Sequence, residues 1–160
     1  MIALRPATSA DEDALWAMLE PVIRAGETYT FPRDMTRDAA LSYWLSDAHE
    51  VFVAADGAPL GTYIIRENNP GGGAHVCNCA FITSPAAQGK GVARAMLDHA
   101  LARARERGFL GMQFNFVIAS NTRAVALWQA NGFEIVGRLP DVFQHPSLGF
   151  VDALVMYRKL

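Results

Sequence analysis

The chain has little of what marks a secreted, membrane-spanning or nucleic-acid-binding protein. Only 2 of its 160 residues are cysteine. Cys77 and Cys79 lie two apart in an apolar run, so as strand residues they share a face about 6.5 Å apart. A disulfide there would strain both the strand and the bridge. Two small buried hydrophobes, in a reducing cytoplasmic setting, are the expectation. No apolar run reaches the roughly 18 residues of a membrane span, and the stretch Met1-Ile2-Ala3-Leu4-Arg5-Pro6 lacks the apolar region of a signal peptide. Charge of neither sign dominates. A net charge of −2 leaves no basic footprint for nucleic acid or an anionic membrane. No metal is expected either. Charged residues make up 19% and apolar residues 51%, which excludes disorder. The expectation is one domain, residues 1–160, with enough material for a core.

What is present alternates between strand and helix patterns. Ile2 to Pro6 reads as a short strand, and Ser9 as the cap of a helix striped by Leu15, Met18 and Leu19. Pro21 is expected to interrupt that helix, and Gly26 to end the region. Glu27 to Pro32 reads as an aromatic, polar loop, and Thr36 caps a second helix to about Ser46. Val51 to Ala55 and Leu60 to Arg66 flank the hairpin turn Asp56-Gly57. Asn68 to Gly73 reads as a flexible connection to a strand at Val76 to Thr83. Helical spacing follows in Ala93, Met96, Leu97, Ala100, Leu101 and Ala104, with Gly108 just past it. His99, in the same helix, is expected at the surface. Met112 to Val117 reads as a strand, Asn121 to Ala130 as a helix, and Phe133 to Gly137 and Val151 to Arg158 as the last strands. The pattern is an α/β chain with a mixed sheet, antiparallel in front and with a parallel β-α-β unit near the middle.

The turn Gln88-Gly89-Lys90-Gly91-Val92-Ala93 joins the strand at 76–83 to a helix. Such a turn offers backbone N–H groups at a helix N-terminus, a geometry that binds phosphate. It is not a P-loop, because Gly91 follows Lys90 and Ser84 stands where the first glycine is needed. It is not a dinucleotide fingerprint, because Arg94 stands at the third glycine position. What remains is Q-x-x-G-x-A. Downstream lies Asn121-x-x-Ala124-x-x-Leu127-Trp128-x-x-x-Gly132-Phe133.

Together these two segments resemble the GNAT superfamily of acetyl-CoA-dependent N-acetyltransferases. Gln88, Gly91 and Ala93 match its first motif, [QR]-x-x-G-x-[GA]. Asn121, Ala124, Leu127, Gly132 and Phe133 match its second, N-x-x-[AS]-x-x-[LF]-Y-x-x-x-G-F. The resemblance spans nearly the whole chain. It implies about seven strands, mostly antiparallel, and about four helices, with the fourth and fifth strands splayed apart. The first motif, Gln88, Gly89, Lys90, Gly91, Val92 and Ala93, would then hold the pyrophosphate of coenzyme A. The pantetheine arm would pair with strand backbone near Phe81, Ile82 and Thr83, and Asn121 would contact the cofactor. Family members often dimerise, which leaves a homodimer open.

The chain departs from the pattern at Trp128, where the family has a tyrosine acid. Indole N–H is a donor that does not titrate usefully, so Trp128 can pack beside the thioester or donate a hydrogen bond but not act as an acid. Attack of an amine on a thioester needs the reactants held together, the developing oxyanion stabilised and protons moved. Asn78 and Asn115, alternating with apolar residues on the two strands expected to splay, are the candidates for the chemistry. Asn115 is expected to share a face with Gln113 and Val117. The set Asn78, Asn115 and Asn121 is similar to the family's azetidine-2-carboxylate branch, which implies a small amino or imino acid as acceptor. His75 and Glu67 are weaker candidates for a base, and ordered water is a third route. Glu27, Tyr29 and Phe31 are expected on one acceptor loop, and Phe143 on a second, Asp141 to Pro146. Direct transfer is expected, since neither cysteine has an activating partner. The alternatives are acetylation of a protein N-terminus or lysine, and a non-catalytic acyl-CoA sensor.

Overall fold

A computed structural model describes residues 1–160. Its frame is a 7-stranded sheet in the order β1-β2-β3-β4-β5-β7-β6. The strands are β1 (Ala3–Pro6), β2 (Glu50–Asp56), β3 (Ala58–Glu67), β4 (Val76–Thr83), β5 (Gly111–Ile118), β6 (Glu134–His145) and β7 (Gly149–Lys159). The helices are α1 (Glu12–Ala25), α2 (Arg37–Trp44), α3 (Val92–Glu106) and α4 (Thr122–Ala130). Every sheet pairing is antiparallel except β4 with β5.

The sheet separates two cores, and strand alternation sorts residues between them. Cys77 and Cys79 face α3 with Met96, Leu97, Ala100, Phe114 and Trp128. Ile64 and Ile82 face α1 and α2 with Leu15, Met18, Leu19, Ile23 and Trp44. Both cysteines are free and buried, as expected. Gly61 lets α3 approach β3 closely, since a Cβ there would lie 2.9 Å from Val92 Cγ1. Buried polar groups are paired: Trp44 Nε1 donates to Thr62 Oγ1 at 3.0 Å, and Thr62 donates to the Phe52 carbonyl at 2.9 Å.

Four expectations are corrected. Pro21 does not interrupt α1, which runs unbroken from Glu12 to Ala25. Pro21 is exposed, while Leu15, Met18, Leu19 and Ile23 continue the buried stripe on both sides of it. Packing of that stripe outweighs the missing N–H. β6 runs on to His145, so Asp141 to His145 is strand, with a bulge between Leu139 and Phe143 that places Asp141 at φ 52. Phe143 is therefore a buried strand residue paired with Val151, not a loop wall. Val117 does not share a face with Asn115, because a bulge between Phe114 and Val117 turns it into the α3-side core. His99 is not a surface residue: it is half-buried, and its Nδ1 lies 2.6 Å from the Tyr63 hydroxyl. Burial lowers the His99 pKa.

Candidate active site

β4 and β5 pair only at Val76 with Gly111 and at Cys77 with Met112. Beyond these two positions the strands part, which opens the expected gap. Asn78 stands where the ladder ends, and its Nδ2 donates to the Gln113 carbonyl at 2.9 Å. The side-chain amide thus satisfies a strand carbonyl that has lost its backbone partner. Gln113 continues the network, its Nε2 donating to Asn115 Oδ1 at 2.9 Å. Asn115 Nδ2 in turn donates to Asn68 Oδ1 at 2.6 Å. Asn78 and Asn115 do not touch; Gln113 links them, and Asn68 closes the chain of amides. Gln113 meets Asn115 as their shared face implies, whereas Asn68, just past β3, had no sequence signal beyond being polar.

Higher in the gap, backbone direction decides which residues can pair with a ligand. Phe81 turns its N–H and C=O away from β3, and alternation gives Thr83 the same direction. Ile82 is turned to β3, where it pairs with Thr62, and its side chain is buried under α1 and α2. Ile82 therefore cannot offer backbone to the pantetheine arm. Phe81 has a partner already: its N–H donates to Tyr29 Oη at 3.1 Å, and that hydroxyl donates to the Phe81 carbonyl at 2.7 Å. Tyr29 does for Phe81 what a strand neighbour would.

Trp128 closes the α3 side of the gap. Its ring centroid lies 5.2 Å from Phe81 and 4.8 Å from Phe114, which stacks on Phe133 at 4.4 Å. The Trp128 ring is buried in the larger core. This cluster gives the end of the gap an apolar wall.

The Gln88–Ala93 turn lies between β4 and α3. Gly89 and Gly91 sit at φ 76 and φ 75, a region that suits glycine. A Cβ added to either would meet nothing within 4 Å, so the space over the turn is open. Gly91 caps α3 and no side chain bonds the first-turn N–H groups. Open space over free N–H groups at a helix N-terminus fits a pyrophosphate. Gln88 and Lys90 are exposed beside it, Ala93 is half-buried, and Val92 is buried, leaving only its backbone for a ligand. Asn121 caps α4, its Oδ1 accepting from Ala124 N at 3.4 Å, which leaves its amide N–H groups for another contact.

The acceptor-side loop follows α1. Phe31 stacks on Tyr29 at 5.6 Å and meets Tyr43 edge-on at 5.3 Å. Glu27 is exposed. Burial pushes the Tyr29 phenol well above its ordinary pKa, so it stays neutral. His75 is exposed just before β4, with Asn78 three residues into the chain beyond it, and Glu67 is exposed at the end of β3. Neither reaches the gap through a hydrogen bond.

Comparison with known proteins places this geometry. Residues 16–133 match the Acetyltransferase (GNAT) family. N-acetyltransferase aca1 of Schizosaccharomyces pombe is 29% identical over 151 residues, covering 83% of this chain and 72% of that protein. A GCN5-related N-acetyltransferase from Kribbella flavida is 38% identical and superposes with a TM-score of 0.95, covering 99% of this chain and 98% of that one. The structure of yncA from Salmonella typhimurium, solved with its cofactor acetyl-CoA, has a TM-score of 0.85 at 21% identity, covering 99% of this chain and 94% of that one; at that identity the likeness is one of fold. The family uses acetyl-CoA, and the open turn before α3 fits its pyrophosphate. These relatives also set aside a non-catalytic sensor. The chain belongs to the GNAT family and is an acetyl-CoA-dependent N-acetyltransferase.

Proposed function

We propose that this enzyme transfers acetyl directly to the amine of a small amino or imino acid of the azetidine-2-carboxylate kind. The observation that carries the reading is the amide chain Asn78–Gln113–Asn115–Asn68 at the closed end of the gap. Uncharged amides can orient an amine or receive a carboxylate without changing protonation state. Arg66 supports a carboxylate-bearing acceptor. It is the cross-strand neighbour of Asn78, and it makes no ion pair. Glu27 and Phe31 on the loop after α1 would attract and pack against the amine side. Tyr29 closes the β4 edge from that side, which disfavours passage of a peptide.

In this reading the first-motif residues hold the pyrophosphate, Thr83 and Asn121 meet the pantetheine arm, and Asn78 and Asn115 hold the acceptor. A cytoplasmic setting belongs to the same proposal, as does self-association through β6. That edge strand exposes Ile135, Val136, Leu139 and Val142 and can pair antiparallel with its own copy. Sedimentation at micromolar concentration tests it, and a monomer there would refute it. The acceptor is tested by comparing turnover on free imino acids with turnover on their methyl esters. The ester should be the poorer substrate. Equal turnover on both would overturn the carboxylate reading.

A further inference from the structure

The second motif lacks its tyrosine, yet a phenol stands in the gap. Tyr29 enters from the loop after α1, and its hydroxyl holds both backbone groups of Phe81. Of the other tyrosines, Tyr63 has its hydroxyl on His99, Tyr43 packs against Phe31 and His49, and Tyr157 lies on β7. None of them bonds a residue of the parted section of β4. We propose that Tyr29 is a catalytic residue, its hydroxyl donating a hydrogen bond to the thioester oxygen of acetyl-CoA as negative charge develops there. The inference rests on the acetyl-transfer reading of the gap.

The geometry favours a donor that needs little reorganisation. Phe81 N–H anchors the phenolic oxygen from one side, so the oxygen stays in place. Only the hydroxyl hydrogen has to rotate, from the Phe81 carbonyl to the incoming oxygen. A pre-aimed donor of this kind, in a site of low dielectric, is the arrangement that stabilises developing charge most effectively. Burial keeps the phenol protonated, so it acts as a donor throughout and transfers no proton. The electron count closes without it: the amine nitrogen's lone pair forms the C–N bond as the carbonyl π pair moves onto oxygen. That pair then re-forms C=O as the C–S bond breaks, sulfur leaving with the bonding pair. The nitrogen's proton passes through water to the thiolate. Trp128 lies on the opposite wall, its ring 5.2 Å from that of Phe81.

The opposite possibility is that Tyr29 merely plugs the backbone site that the pantetheine arm needs. Tyr29→Phe separates the two. It keeps the ring that packs against Phe31 and removes only the hydroxyl. The proposal expects turnover to fall by about 10²- to 10³-fold. Affinity for acetyl-CoA, measured by calorimetry without acceptor, should stay within about twofold. Difference infrared spectra of acetyl-CoA labelled with ¹³C at the carbonyl give a second readout. In the wild type the bound band should lie below its position in water, and in Tyr29→Phe it should move back up. Unchanged turnover, tighter acetyl-CoA binding, or loss of acetyl-CoA binding in the variant would each overturn the proposal; the latter two would mark Tyr29 as a plug and as a structural clamp respectively. A wild-type band that stays at its position in water would overturn it without any variant. If the wild type itself bound no acetyl-CoA, the failure would lie with the reading of the gap instead.

Discussion

Four residues carry separable consequences. Gly91 sits at φ 75 over open space. Gly91→Glu would strain the turn by about 1–2 kcal/mol and set a carboxylate where the pyrophosphate is proposed to sit. Calorimetry should show no coenzyme A binding, while circular dichroism shows a folded protein; retained affinity would refute the cradle. Asn115 is exposed and Asn78 is not, so their alanine variants should differ. Asn115→Ala should leave stability within about 0.5 kcal/mol and lower turnover about tenfold, with coenzyme A affinity unchanged. Asn78→Ala orphans the Gln113 carbonyl and should also destabilise the fold by about 1–3 kcal/mol, read by denaturant titration. Asp11 belongs to stability alone. It is buried, pairs with both Arg5 guanidinium nitrogens at 2.7 and 2.8 Å, and accepts from Thr8 N at 2.8 Å. The Arg5 hydrogen bonds lead in lowering its pKa from 3.8 to about 2. A depressed folded-state pKa means the stabilisation is fully present above the unfolded value and fades as pH falls toward about 2. Asp11→Asn should therefore flatten the fall in melting temperature between about pH 5 and 2. An unchanged acid profile would show that Asp11 carries none of it.

At the scale of the element, most of the fold was legible because periodicity was strong. The stripes of α1 and α3 and the apolar runs of β2 to β4, with the Asp56-Gly57 turn, announce themselves. What escaped did so for identifiable reasons. The strand expected to end at Gly137 runs on through Pro140 to His145, because β6 is an edge strand, where proline is tolerated and a bulge absorbs the irregularity. The bulge at Phe114/Val117 breaks alternation, so simple counting put Val117 on the wrong face. His99 flanks the apolar stripe of α3, and no spacing rule reports that the Tyr63 hydroxyl faces it from β3. Within the site, the two motifs pointed to the open turn before α3, but the hydroxyl of Tyr29 on Phe81 joins residues 52 apart in sequence. A contact of that separation leaves no trace in local pattern. Pro21 offers a test of how far packing outweighs propensity. Pro21→Ala restores an N–H in an exposed position of an intact helix, and should raise stability by about 1–2 kcal/mol in thermal unfolding. A loss of stability would mean that the helix depends on the proline.

For the whole molecule, the sheet divides two tasks. The α3 face carries the phosphate turn and the aromatic wall of Trp128, Phe114 and Phe133. The α1–α2 face carries the loop with Tyr29 and Phe31 and the helices that cover it. The gap between β4 and β5 is the one place where the sheet itself opens between them. In the proposed reading, donor and acceptor approach from different sides and meet in this gap. That proposed division favours a small acceptor, because Tyr29 stands against Phe81 on the α1–α2 side. Release of coenzyme A thiol from acetyl-CoA, measured against a panel of free amino and imino acids and of peptides with free N-termini, tests this directly. The account predicts release with one or more free imino or amino acids and none with the peptides. Release with peptides alone would contradict it.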